Sequence, residues 1–129
     1  MSSQTPPSRT SLHVASLQGD VARVTALLAG GADPTARDRA DKTPLHEAAI
    51  SGNVAVMALL LTSGADIHAQ DDEGRTALHY AVILNHSEGV FFLRTKGARD
   101  DIPDRSSLTP VQYAVLSGHS DVLKTLTSH

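Results

Sequence analysis

The sequence predicts an all-α fold of stacked helix pairs, because one short helical pattern returns at a constant spacing. An aliphatic residue recurs every 33 residues, at Leu12, Leu45, Leu78 and Val111. In the copy at residues 43–52, Thr43 suits a helix N-cap and Pro44 suits the first helical position. Gly52 suits the left-handed conformation that often ends a helix. One such unit cannot bury its own apolar face, so the copies are expected to stack.

The recurring stretch carries a shared motif in its four copies. They read Thr10-Ser-Leu-His-Val-Ala15, Thr43-Pro-Leu-His-Glu-Ala48, Thr76-Ala-Leu-His-Tyr-Ala81 and Thr109-Pro-Val-Gln-Tyr-Ala114. A second motif follows in three of them, as Gly31-Ala-Asp33, Gly64-Ala-Asp66 and Gly97-Ala-Arg99. Thr-x-Leu-His-x-Ala at this period resembles the ankyrin repeat. The resemblance implies an ankyrin-repeat solenoid of helix-turn-helix units, with short β-hairpin turns forming finger tips.

The repeats account for nearly the whole chain of 129 residues, so we expect no second domain. Residues 1–8 are polar and proline-rich, and we expect them to be a disordered lead-in to one domain at 9–129. The expected repeats span about 9–37, 38–70, 71–103 and 104–129, the last one truncated. The expected helix pairs lie near 10–18 and 20–30, 43–51 and 53–63, 76–84 and 86–96, and 109–117 and 119–127.

Composition excludes several classes of function. The net charge is −3, with two tyrosines, two phenylalanines and no tryptophan, whereas nucleic-acid binders usually show a basic face or stacking rings. The longest apolar run, residues 54–61, is too short to span a bilayer, and nothing behind Met1 suggests secretion. The absence of cysteine fits a cytoplasmic or nuclear protein. We therefore expect a monomer that contacts neither nucleic acid nor membrane.

The sequence offers no convincing catalytic or metal site. His46-Glu47 begins like the zincin motif His-Glu-x-x-His, but the second zinc ligand is replaced by Ile50. His13 and His79 recur with His46 at the repeat period, which would place them on layers about 10 Å apart, too far to share a metal. The resemblance implies that each histidine instead binds a neighbouring finger turn. We expect no enzyme, no cofactor and no metal.

Two rows of side chains suggest where a partner would bind. The resemblance implies a concave partner surface made from the finger tips and the outer edge of each first helix. The variable positions of the first helices are Leu17, Ile50, Ile83 and Leu116, followed by Gln18, Ser51, Leu84 and Ser117. Four aliphatic residues in line favour a binding stripe, although they could also extend the core.

The finger turns add charges of both signs. Repeat two is basic there and repeat three is mainly acidic, which together with the stripe suits an amphipathic helix or extended segment with acidic groups near repeat two. For any single charge, a solvated rim is the alternative interpretation. The candidate partner-binding residues are Arg37, Arg39, Lys42, Ile50, Ser51, Asp72, Glu73, Arg75, Ile83, Leu84 and Leu116.

The resemblance implies a non-catalytic protein-protein interaction module, acting as an adaptor or as a stoichiometric inhibitor. The alternative is a targeting or regulatory domain of a longer polypeptide whose effector part is absent from this sequence. One irregularity stands inside the third repeat, where Gly89 occupies a helical position and is followed by Phe91 and Phe92. Whether the phenylalanines fill the space beside Gly89 is left open by the sequence.

Overall fold

The computed structural model describes residues 8–127, so most of the expected lead-in, residues 1–7, and the last two residues lie outside the described part. Within residues 8–127 the chain forms eight α-helices and no β-strand. In chain order these are α1 (Ser11–Gln18), α2 (Val21–Ala29), α3 (Pro44–Ser51), α4 (Val54–Thr62), α5 (Ala77–Ile83), α6 (Ser87–Thr95), α7 (Pro110–Ser117) and α8 (Ser120–Thr127). The all-α prediction is confirmed, and every helix end lies within one residue of its expected position.

The helices form two layers. The first helices, α1, α3, α5 and α7, pack side by side in chain order, and each also packs against the second helix of its own pair. The second helices, α2, α4, α6 and α8, form the other layer in the same order. The repeated buried leucines Leu12, Leu45 and Leu78 lie between the layers, together with small residues such as Ala48 and Ala81. Small side chains allow the first helices to approach each other closely, as a stack requires.

Local sequence sets the ends of each first helix. A threonine caps each one, and in α3 the Thr43 hydroxyl accepts a hydrogen bond from the His46 N–H while the His46 side chain accepts one from the Thr43 N–H. This reciprocal capping box satisfies two N–H groups that a helix start leaves free. The turn after α3 has Gly52 at φ 76°, and the turn after α5 has Asn85 at φ 61°, since asparagine also tolerates the left-handed conformation.

The space beside Gly89 is filled by a side chain from α4 and not by the phenylalanines. A Cβ atom on Gly89 would lie 3.2 Å from the terminal methyl group of Met57, which is fully buried. Phe91 follows two residues later, on the opposite side of α6, and is 62% exposed. Phe92 is partly buried against the core. Gly89 therefore accommodates Met57 between α4 and α6.

Candidate protein-binding surface

Each finger turn is organised by one aspartate carboxylate. In the third repeat, Asp71 Oδ1 accepts hydrogen bonds from the N–H groups of Glu73 and Arg75, at 3.0 and 2.9 Å. Asp38 and Asp104 bind their own turns in the same way. Sequence reasoning missed this role, although the three aspartates recur every 33 residues and Asx turns are a known signal.

The three turns share one backbone conformation although glycine occurs in one of them. Asp41, Gly74 and Ser107 hold equivalent positions, with φ of 62°, 74° and 64°. Glycine adopts a positive φ without strain, and the other two turns reach the same conformation with Asp41 and Ser107. Neighbouring fingers are joined by main-chain hydrogen bonds, from Asp72 N–H to the Ala40 carbonyl at 3.0 Å and from Arg105 N–H to the Glu73 carbonyl at 2.9 Å. The fingers therefore form a continuous, linked edge.

The recurring histidines connect each first helix to the finger of the next repeat. His46 Nε2 donates to the Arg75 carbonyl at 2.8 Å, and its Nδ1 accepts from the Thr43 N–H at 3.0 Å. His13 and His79 make the equivalent bonds to the Lys42 and Leu108 carbonyls, at 2.7 and 3.0 Å. Because a carbonyl can only accept and a backbone N–H can only donate, the rings must be neutral with the proton on Nε2. The role that the resemblance implied for these histidines is confirmed.

Burial favours the same neutral form. Desolvation lowers the pKa of His46 and of His79 below the ordinary histidine value of 6.5. The carboxylate of Asp71 is held in its ionised form. Burial opposes ionisation of Asp71, but hydrogen bonds from the Tyr80 hydroxyl and from the Arg75 and Glu73 N–H groups outweigh it and lower the pKa of this carboxyl.

Basic side chains near the fingers point into the stack and bind the next repeat. Arg9 lies 2.8 Å from Glu47, and also approaches Asp38 at 3.5 Å. Lys42 lies 3.6 Å from Asp71 and over the ring of Tyr80. Arg75 binds Asp104 at 3.4 Å and Tyr113 at 3.4 Å, and Tyr113 in turn donates to Asp104. Two of the candidate partner-binding residues, Lys42 and Arg75, therefore connect neighbouring repeats.

The other candidate finger residues are more accessible. Arg39, Asp72 and Glu73 are exposed. Arg37 is half-buried, since its guanidinium donates to the carbonyls of Asp41 and of Gln70 in the next finger, at 3.0 and 2.9 Å. The structure thus brings a basic group and an acidic group side by side along the linked edge of the fingers.

The candidate helix residues differ in exposure. Ile50 and Ile83 are half-buried, and Ile50 packs against the core. The Ser51 hydroxyl donates to the carbonyls of Ala48 and Ser16, at 3.0 and 3.3 Å, and so joins α3 to α1. The leucines at the stripe are exposed: Leu17, Leu84 and Leu116. Ile50 therefore extends the core, as the alternative interpretation of the stripe expects, while the leucines are the members of the stripe that remain accessible.

Other kinds of site are not apparent in the described part of the chain. Within residues 8–127, no group of three or more His, Cys, Asp or Glu side chains is placed to hold a metal ion. None of the described helices combines the length and apolar character needed to cross a bilayer. A surface groove of about 470 Å³ lies on the second-helix layer, where Phe91, Phe92, Val54 and Thr125 line it.

The paired helices, the capped first helices and the linked fingers define an α-helical repeat protein built from stacked units. A family model described as "Ankyrin repeats (3 copies)" matches the chain over residues 12–104 and again over residues 63–129. The chain belongs to the ankyrin-repeat family, whose members generally serve as protein-protein interaction modules. A comparison with curated proteins finds no match.

Proposed function

We propose that this protein binds a protein partner on its concave surface. That surface comprises the exposed finger residues Arg39, Asp72 and Glu73 with the half-buried Arg37, and the helix residues Leu17, Ile50, Ser51, Ile83, Leu84 and Leu116, with Lys42 and Arg75 at its edge. The observation that supports it most is the row of accessible leucines beside a rim of both charges. An apolar centre with a polar rim is the usual composition of a protein interface.

The partner's chemistry follows from the order of charges along the fingers. Arg37 and Arg39 project from the second repeat, and Asp72 and Glu73 from the third. A helix or extended segment with acidic groups over the second repeat and a basic group over the third would complement both. Because the fingers are already fixed by main-chain hydrogen bonds, little conformational freedom would be lost when the partner binds.

The proposed role is a non-catalytic one in the cytoplasm or nucleus. Binding of this kind supports either an adaptor, which holds two proteins together, or a stoichiometric inhibitor, which covers the working surface of its partner. The same interface serves both roles.

The test changes the accessible leucines and spares the isoleucines, because Ile50 also packs against the core. Leu17 and Leu84 are 39% and 44% exposed, so Leu17→Glu with Leu84→Glu should leave the fold intact. Burial of one aliphatic side chain stabilises a complex by roughly 1.5–3 kcal/mol. The double variant should therefore bind the partner at least ~100-fold more weakly.

Affinity capture from the native cell measures this, followed by titration of the recovered partner against each variant. Phe91→Glu is the matched control, since it also places a charge at an exposed apolar position but on the second-helix layer. The proposal predicts that the wild type and Phe91→Glu bind the same partner equally and that the double variant does not. Equal binding by all three would place the interface elsewhere.

A further inference from the structure

Each of the helices α1, α3 and α5 buries one side against the first helix of the next repeat. The equivalent side of α7 is exposed. On α7 and the finger before it, a groove of about 290 Å³ is lined by Leu108, Val111, Gln112, Val115 and Leu116. We call this groove the C-terminal end face. Val82 is the residue equivalent to Val115 one repeat earlier; it is 0% exposed, whereas Val115 is 59% exposed. The C-terminal end face is therefore the same kind of surface that is buried at the interfaces between repeats.

Gln112 keeps this face competent to bind another layer. It stands at the position of His13, His46 and His79, and its Oε1 accepts from the Thr109 N–H at 2.8 Å, as the histidine Nδ1 does. The side-chain NH₂ group of Gln112 then corresponds to the histidine Nε2, which donates to a finger carbonyl of the next repeat. The hydrogen-bond donor needed for stacking is preserved.

The two ends of the stack are complementary at a pair of positions that forms a polar contact in the internal interfaces. Inside the chain, a cation at one position meets an acidic or phenolic group in the next repeat, as Arg9 meets Glu47 and Arg75 meets Tyr113. At the C-terminal end the cation position is Leu108. At the N-terminal end the position of Glu47 is Val14, which is 39% exposed. An apolar pair thus replaces the charged contact at both ends.

We propose that two copies of this chain associate head to tail, with the C-terminal end face of one against α1 of the next. The step that relates successive repeats would place Leu108 against Val14 of the second copy. It would also place the Gln112 amide against the Arg9 carbonyl of that copy. The contact goes beyond the concave surface, with which it shares Leu116. The monomer expected from the sequence is then the dilute form.

One position in this contact is mismatched, and it sets the expected affinity. Asn53 donates to the Gly19 carbonyl at 3.4 Å, and His86 donates to the Ile50 carbonyl at 2.9 Å, so this position joins each second helix to the preceding repeat. Its counterpart in the first repeat is Asp20, a carboxylate that cannot donate. In the head-to-tail contact Asp20 would face the Gly118 carbonyl of the other copy. The association is therefore weak, and Asp20→Asn should strengthen it.

Sedimentation equilibrium over a wide range of protein concentration tests the proposal. The average mass of the wild type should rise with concentration and pass that of a dimer, since a head-to-tail contact leaves both outer ends open. Asp20→Asn should strengthen association about tenfold by adding a hydrogen bond, and it retains the N-cap of α2 because asparagine caps as well as aspartate. Val14→Glu or Val115→Glu should weaken it by about tenfold or more.

Mixing two variants distinguishes a head-to-tail contact from a symmetric one. Val14→Glu keeps an intact C-terminal end face, and Val115→Glu keeps an intact α1, so an equimolar mixture should form a dimer and nothing larger. Circular dichroism confirms that each variant is folded. The proposal is overturned if the wild type and Asp20→Asn both remain monomeric at the highest soluble concentration. It is also overturned if Val14→Glu alone dimerises as well as the wild type.

Discussion

A single aspartate in each finger connects sequence to tertiary structure. Asp71 is 5% exposed, yet it is ionised because two backbone N–H groups, the Tyr80 hydroxyl and the Lys42 ammonium surround it. The two N–H groups belong to its own turn, whereas Lys42 comes from the preceding finger. Asp71 therefore fixes the shape of one finger and its position beside the next.

We expect Asp71→Ala to destabilise the protein by ~2–4 kcal/mol. The change leaves the Glu73 and Arg75 N–H groups and the Tyr80 hydroxyl without their acceptor in a mostly buried place. Urea unfolding followed by circular dichroism measures the free energy of unfolding. Asp72→Ala, an adjacent but exposed position, is the control and should change stability by less than about 0.5 kcal/mol. Equal effects of the two substitutions would show that Asp71 does not organise the finger.

The residue roles that could be predicted were those set by local sequence. Thr43 as N-cap and Asn85 in a left-handed turn follow from a few neighbouring residues, and both are observed. The inward role of Lys42 and Arg75 could not be read in this way. Each depends on a carboxylate 29 residues further along the chain, at Asp71 and Asp104. From the sequence alone, both cations are therefore assigned to the partner-binding surface.

At the scale of elements, the starts of α1, α3 and α5 each join two repeats through a histidine ring. In α3 and α5 the ring nitrogens of His46 and His79 bridge a capping threonine N–H and a carbonyl of the next finger. Protonation of Nδ1 would set an N–H against the threonine N–H and remove one bond of the capping box. Helix starts and repeat contacts are therefore coupled to the same protonation state.

We expect the protein to lose stability as the pH falls below about 6.5. The pKa of His46 and His79 is lowered in the folded state, so between that lowered pKa and 6.5 the unfolded chain binds more protons. Stability from these rings is thus fully present above 6.5 and declines below it. Asp71 and Asp104, whose pKa values are lowered from 3.8, add a further loss only in stronger acid. Thermal unfolding between pH 5 and pH 8 measures the slope.

The control for this pH dependence replaces both rings with a group that does not titrate. His46→Gln with His79→Gln copies Gln112, which caps α7 through the same bond to a threonine N–H. The double variant should remain folded and should lose less stability between pH 8 and pH 5 than the wild type does. An unchanged slope would show that other groups cause the acid sensitivity.

The elements themselves were largely predictable, because their boundaries are marked by threonine, proline, glycine and asparagine at a fixed spacing. The packing of α4 against α6 was not. Met57 fills the space beside Gly89 while Phe91 remains exposed, and this depends on how two helices from different repeats approach each other. The inward packing of Ile50, a member of the proposed partner stripe, has the same origin in contacts between elements.

At the scale of the whole molecule, the fold is a one-dimensional stack. Consecutive first helices pack against each other, and the fingers form a parallel series of contacts at their edge. Interior repeats have two neighbours and end repeats have one, so stability should vary along the chain. In α8, Thr125 and Thr127 donate to the carbonyls of Asp121 and Leu123 one turn earlier, a bond that weakly disfavours helix.

Hydrogen exchange of backbone amides, at a protein concentration low enough to keep the chain monomeric, tests this central claim most directly. If each repeat is stabilised by the next one, α8 should exchange fastest among the described helices. By contrast, α4, which packs against α2, α3 and α6, should rank among the slowest. Equal protection of residues 120–127 and 54–62 would contradict the account, since it would mean that the stack opens as one unit regardless of how many neighbours a repeat has.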